Sequence, residues 1–88
     1  MRDDRFEWDD EKARTNLADH KVSFESARLV FEDVGAVDEL DDREDYGELR
    51  SNRTGLAQGR LITVTYTERE DRYRIISARK ATKREQTA

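Results

Sequence analysis

The strongest constraint on the fold is the stretch from Tyr66 to Glu85, where two strand-like runs meet at a charged turn and lead into a basic tail. Leu61–Thr67 alternates and is rich in β-branched residues, which puts Ile62, Val64 and Tyr66 on one face. The Arg69–Asp71 turn returns the chain as Arg72–Ala78. There Tyr73, Ile75 and Ser77 are expected on one side, and Arg72, Arg74 and Ile76 on the other. A hairpin with one apolar face needs other elements to cover it.

Those elements lie upstream. Phe6, Glu7 and Trp8 read as a short strand, and Asp9 is placed to cap a helix running to about His20. Ala13, Leu17 and His20 fall at i, i+4, i+7 and predict its packed stripe, with Lys12 and Asn16 beside it. Ser23 caps a second helix in which Phe24, Ala27 and Phe31 share a face. Lys21-Val22 forms the turn before it, and Gly35 the stop after it. Ala36–Leu40 predicts a strand, Asp41–Asp45 a solvated acidic loop, Tyr46–Ser51 a further strand, and the region of Gly55 and Gly59 a turn. Ala81 to Gln86 predicts a last helical turn. The expected class is α+β, in chain order β-α-α-β-β-β-β: two N-terminal helices packed on an antiparallel sheet, with a short C-terminal helical turn, in one domain over residues 1–88.

With 34% hydrophobic residues in 88, the chain can build one modest core. Chains of this size bury only roughly 60–65% of the surface their unfolded form exposes. The absence of cysteine excludes disulfides, thiolate catalysis and cysteine-ligated zinc. His20 is the only histidine, so a multi-histidine zinc site is excluded and carboxylate-only Mg²⁺ is the one metal option left. No apolar run approaches membrane-spanning length, and Asp3 and Asp4 are unlike a signal peptide. The expectation is a soluble, cytoplasmic protein that engages no membrane.

The overall charge of −4 conceals an asymmetry. Residues 1–49 hold 7 Lys/Arg against 17 Asp/Glu, a net of −10, whereas residues 50–88 hold 10 against 4, a net of +6. This predicts a polyanion-facing surface at one end and, at the other, a solvating face or a dock for a basic partner.

The ordered fragments resemble a known family. Phe6-Glu7-Trp8-Asp9, Lys12-Ala13, Asn16-Leu17, His20, Val22-Ser23-Phe24-Glu25, Ala27 and Phe31 look like the opening of the BrnT toxins. Asp45-Tyr46-Gly47-Glu48, Arg50, Gly55, Gly59-Arg60, Tyr66-Thr67-Glu68-Arg69, Arg74 to Arg79, Ala81-Thr82 and Glu85 continue the pattern. The resemblance spans nearly the whole chain, though Lys21 stands where the family often has glycine. It implies a RelE-like fold and a toxin of a bacterial type II toxin–antitoxin system, a ribonuclease that halts translation. It also implies RNA as substrate, no cofactor, and a hetero-oligomeric complex with a BrnA-like antitoxin that binds operator DNA.

Cleaving RNA without a metal requires a base for the ribose 2′-hydroxyl, cations for the phosphorane charge and a surface that stacks a base. Arg69, Arg74 and Arg79 are the phosphate candidates, because guanidinium forks onto two oxygens without a tuned pKa. Arg79, at a strand end, is the first choice; its alternative role is a surface salt bridge. His20 is the side chain with an ordinary pKa near neutrality and so a candidate acid or base, its alternative being a helix-terminal cation. Glu68 is the rival base or else a salt-bridge partner, and by analogy with RelE-like enzymes Lys12 serves beside the arginines or is an exposed helix lysine. Trp8 and Tyr66 are candidates for base stacking, an interaction worth roughly 1–3 kcal/mol. A core position is the alternative for Trp8. Arg60, in the basic half, joins Arg74 as an RNA contact. Two other functions fit the same residues: a non-catalytic nucleic-acid-binding module and an antitoxin-docking protein without catalysis.

Overall fold

The computed structural model describes residues 1–42 and 47–87. The elements are β1 (Phe6–Glu7), α1 (Asp10–His20), α2 (Phe24–Ala27) continued by a 3-10 turn (Arg28–Glu32), β2 (Val37–Asp41), β3 (Arg50–Ala57), β4 (Arg60–Arg69), β5 (Arg72–Lys80) and α3 (Lys83–Thr87). They build an α+β domain around a five-stranded sheet of order β1-β5-β4-β3-β2. The sheet is mixed rather than antiparallel, because β1 pairs parallel with β5. Tight hairpins force β3–β4 and β4–β5 to be antiparallel, whereas the long chain between β1 and β5 leaves that pair free to run parallel. Both hairpins turn on two residues of positive φ, Gln58 (53°) with Gly59 (80°) and Glu70 (53°) with Asp71 (66°), the pattern of type I′ turns.

The caps fall where the sequence places them. Asp9 accepts a hydrogen bond from the Lys12 amide at 3.1 Å, and Ser23 accepts one from Ser26 at 3.0 Å. Lys21 closes α1 in the left-handed region with φ 59°, which explains why glycine suits this position. The second helix is shorter than expected, a single α-turn that tightens into 3-10 geometry and ends at Glu32, with Gly35 held by the Asp33 carboxylate.

Four expectations are corrected. The Tyr46–Ser51 strand becomes β3, which starts at Arg50 and runs to Ala57; Tyr46 itself lies outside the described residues. Gly55 sits inside that strand, not in a turn. The 3-10 segment packs so closely there that a Cβ would stand 2.9 Å from the Ala36 Cβ and 3.2 Å from Val30 Cγ1. Asp41 is 5% exposed, paired opposite Arg50 in β2–β3, so the acidic stretch is not wholly solvated; residues 43–45 lie outside the described residues.

A further correction concerns α1. Leu17 is 49% exposed and His20 is exposed, while Asn16 is the buried residue of the helix. Its side chain donates to Ala78 O at 2.8 Å and Val22 O at 2.9 Å, and its Oδ1 accepts from Ala78 N at 3.1 Å. β1 covers only the first part of the β5 edge, so the Asn16 amide completes the hydrogen bonding beyond it. Polar pairing, not an apolar stripe, docks this helix.

β5 also breaks its own alternation. Thr65 faces Ser77 and Tyr66 faces Ile75, so Ile76 is an extra residue, a β-bulge. Before it Tyr73 and Ile75 face the core; after it Ala78 does, and Ser77 turns to the other side. The core beneath holds Phe6, Phe24, Val30, Ile62, Val64, Ile75 and Ala78, with Phe31 edge-on to Phe6 and Tyr66 at 5.2 and 5.1 Å between ring centroids. The Arg53 guanidinium lies 4.6 Å from the Phe31 centroid and 5.2 Å from that of Tyr66, and it donates two hydrogen bonds to Asp38 at 2.9 and 2.7 Å. An arginine on the core-facing side of β3 is tolerated because its charge is matched and its faces are stacked.

Asn16→Ala strands the Ala78 backbone groups and the Val22 carbonyl. It is expected to cost about 2–4 kcal/mol, read as a melting-temperature drop on the order of 10–20 °C. A drop below about 4 °C contradicts this account of α1 docking. Lys21→Gly relieves the left-handed strain and should raise stability by about 0.5–1 kcal/mol in denaturant titrations; a loss of stability shows that the Lys21 Nζ contact to Ala18 O, at 2.9 Å, matters more.

Candidate nucleic-acid interface

The sheet face turned away from α1 and α2 is polar. Register puts Glu39 of β2, Asn52 and Thr54 of β3, Thr63 and Thr65 of β4, and Arg74, Ser77 and Arg79 of β5 on it. The bulge decides this for Arg79: unbroken alternation would have turned it to the core with Tyr73 and Ile75. The hydroxyls form two hydrogen-bonded groups. Thr63 donates to Glu85 at 3.0 Å and, having one proton, accepts from Thr54 at 2.7 Å, while Thr65 donates to Asn52 Oδ1 at 2.6 Å.

Two arginines flank this field. Arg74 donates to Glu7 at 2.6 Å, a carboxylate itself only 8% exposed, and lies near enough to Asp9 to help lower that carboxyl's pKa, beside the larger effect of the Lys12 amide. Arg79 donates from both terminal nitrogens to Glu85, at 2.8 and 3.0 Å. Glu85 reaches it because Thr82-Lys83-Arg84-Glu85 is a capping box: Thr82 N donates to the Glu85 carboxylate at 2.8 Å and Glu85 N to Thr82 Oγ1 at 3.3 Å. The Arg79 hydrogen bonds first, then those from Thr82 and Thr63, hold the Glu85 carboxyl down at about 2 against its burial. A cavity of about 210 Å³ opens beside the pair, lined among others by Glu39, Asn52, Thr54 and Arg84.

The other candidates scatter. Lys12 and His20 share a groove of about 240 Å³ with Asn16 and Ile76 on the α1 side of β5. The β5 residue in that groove is Ile76, and Arg79 is not part of it. Glu68 and Arg69 are exposed at the opposite hairpin. Arg79 faces Thr63, five residues along β4 from Glu68, so Glu68 is about 17 Å away and cannot act on a phosphate held by Arg79. Arg60 is exposed at the first hairpin, in a groove of about 570 Å³ with Leu56, Leu61 and Lys80. Trp8 and Tyr66 are each 4% exposed, which corrects their stacking role: Trp8 packs edge-on against Phe24 at 5.6 Å, and the Tyr66 hydroxyl donates to Asp38 at 3.0 Å. Burial and that hydrogen bond push the Tyr66 pKa up to about 12.

The charge asymmetry does not produce two ends. Glu7–Arg74, Asp38–Arg53 and Glu39–Arg84, the last at 3.7 Å, each join a carboxylate of the first half to an arginine of the second. Sequence reasoning missed Glu7, Asn52, Thr63 and Glu85. Of these only Glu85 carried a local signal, the Thr-x-x-Glu spacing of its capping box.

α1 and α2 on one side of a sheet, with arginines, hydroxyls and the short α3 on the other, define a small α+β domain with one polar face. Within that class the chain belongs to the family described as ribonuclease toxin, BrnT, of type II toxin–antitoxin system, whose profile matches residues 8–85. The matched span holds Arg74, Arg79 and Glu85, and membership makes the protein a ribonuclease toxin with an antitoxin partner. No curated protein matches the chain. Among the described residues no helix is long and apolar enough to cross a membrane.

The Glu85 pKa sets a pH dependence. Its folded value, about 2, lies below its ordinary 4.5, so its contribution to stability is complete above 4.5 and is lost as pH falls through 2. In thermal melts, the advantage of the wild type over Glu85→Gln should be constant from about pH 6 to 7 and shrink between pH 4.5 and 2. An advantage that persists unchanged at pH 2 contradicts the assignment.

Proposed function

We propose that the protein is a RelE-like endoribonuclease that cleaves RNA on the outer sheet face without a bound metal, halts translation in the cytoplasm, and is neutralised by a BrnA-like antitoxin that also binds operator DNA. The observation that carries this reading is the position of Arg74 and Arg79 on one polar face, either side of the Thr65 and Ser77 hydroxyls. Arg74 and Arg79 face Thr67 and Thr63, about 14 Å apart along β4, which suits phosphates about two nucleotides apart on a single RNA strand, and the hydroxyls and Asn52 suit sugar and base edges. Arg79 stabilises the charge that develops on the phosphorane, and Arg74 holds a phosphate further along the strand. His20, in the α1 groove with Lys12 and Ile76, is the imidazole available to take the 2′-hydroxyl proton of an RNA strand that passes over the β5 edge, and Lys12 adds positive charge from the same helix.

Arg79→Ala should remove growth arrest and lower RNA cleavage by a factor on the order of 10²–10³ while the melting temperature stays within a few degrees. Arg79→Lys, which keeps the charge and loses the planar fork, should restore only part of the rate. Wild-type cleavage by folded Arg79→Ala refutes the site. Arrest that co-expression of the antitoxin fails to relieve refutes the toxin–antitoxin part of the reading.

A further inference from the structure

We infer that Glu85 is a positioning residue for RNA cleavage: its carboxylate fixes the plane of the Arg79 guanidinium, which makes α3 part of the active site. The inference rests on Arg79 being the phosphate-binding group. Glu85 is built as an anchor. Its side chain is 7% exposed, and Arg79 Nη1 and Nη2, Thr63 Oγ1 and Thr82 N all donate to its two oxygens, at 2.8, 3.0, 3.0 and 2.8 Å. A carboxylate whose acceptor sites are filled from strand, helix cap and arginine together cannot shift without breaking all of them. The Arg79 side chain, by contrast, is 32% exposed and lines the cavity shared with Asn52 and Thr54.

A fork of two parallel N–H···O bonds fixes the plane of a guanidinium, and Arg79 Nη1 donates in addition to Lys80 O at 3.3 Å. An arginine on an open sheet face would otherwise have to lose its rotamer freedom when the phosphate arrives, so holding it beforehand favours the reacting geometry. A carboxylate that merely competed with phosphate would be expected at the surface, on a segment held by little else. Glu85 is instead buried, and α3 is pinned again by Gln86 Nε2 donating to Ala81 O at 3.0 Å.

Glu85→Gln isolates the effect, because glutamine sustains a capping box and only the charged fork is lost. Measured on purified toxin with a single-stranded RNA, kcat should fall on the order of 10- to 100-fold while KM changes by less than about threefold. In an Arg79→Lys background the same substitution should have an effect below about threefold, since lysine has no fork to orient. Thr63→Val, which removes one donor to Glu85 and conserves shape, should lower kcat severalfold and serves if Glu85→Gln does not fold. Wild-type kcat in folded Glu85→Gln, or in Thr63→Val, overturns the inference. So does a rise in kcat, which would make Glu85 a block on the site. An equal loss in the wild-type and Arg79→Lys backgrounds would show a general structural role and overturn it too. If Arg79→Ala itself cleaves at the wild-type rate, it is the proposed site that fails, whatever Glu85 does.

Discussion

The hydrogen bonds between the Asn16 side chain and the backbone of Ala78 hold the working geometry of this domain together. β1 pairs with β5 only at Tyr73 and Arg74, and past that point the strand edge needs another partner. Asn16 supplies it and accepts from, and donates to, the residue two places after the bulge. The bulge at Ile76 then reverses which side of β5 faces the core. One amide therefore anchors the helix that carries Lys12 and His20 to the strand segment that carries Arg79. Its third bond, to Val22 O, ties in the start of the next helical segment.

Charge is handled by pairing across the chain. The acidic first half and basic second half are interleaved in space because β2 lies against β3 and β1 against β5. The most buried of these pairs do structural work. Asp38–Arg53 closes over the aromatic cluster, and Glu7–Arg74 joins β1 to β5 with a carboxylate only 8% exposed. An exposed ion pair contributes about 0–1 kcal/mol, but half-buried forks also fix direction, and direction is what a phosphate site needs. Arg79 and Glu85 follow the same logic on the outer face.

Much of the fold was legible because its signals are local. The Asp9 and Ser23 caps, the alternation of β4 and the charged hairpin turn are each determined within a few residues. What escaped was decided by distant contacts. Gly55 reads as a turn residue in sequence, yet its lack of a Cβ is required by Ala36, Asp33 and Val30. Asn16 reads as a residue beside the stripe, because nothing near it reveals that Ala78, 62 positions away, lacks a strand partner. The β5 bulge leaves no glycine or proline to mark it. For the proposed site, Arg79 and Arg74 could be singled out as strand cations, whereas Trp8 and Tyr66 are aromatic residues that a small core consumes. Glu85 was hidden because its role depends on where the capping box lands on the sheet.

The central claim is that RNA lies on the sheet face opposite α2, oriented by Arg74 and by Arg79, which the bulge turns outward. The most direct test is NMR titration of the toxin with a 2′-O-methyl RNA that cannot be cleaved. Shift changes should concentrate at Asn52, Thr63, Thr65, Ser77, Arg74 and Arg79, and Phe24, Ala27 and Val30 should remain still. Changes centred on α2 and the 3-10 turn, with the outer face silent, would contradict the account.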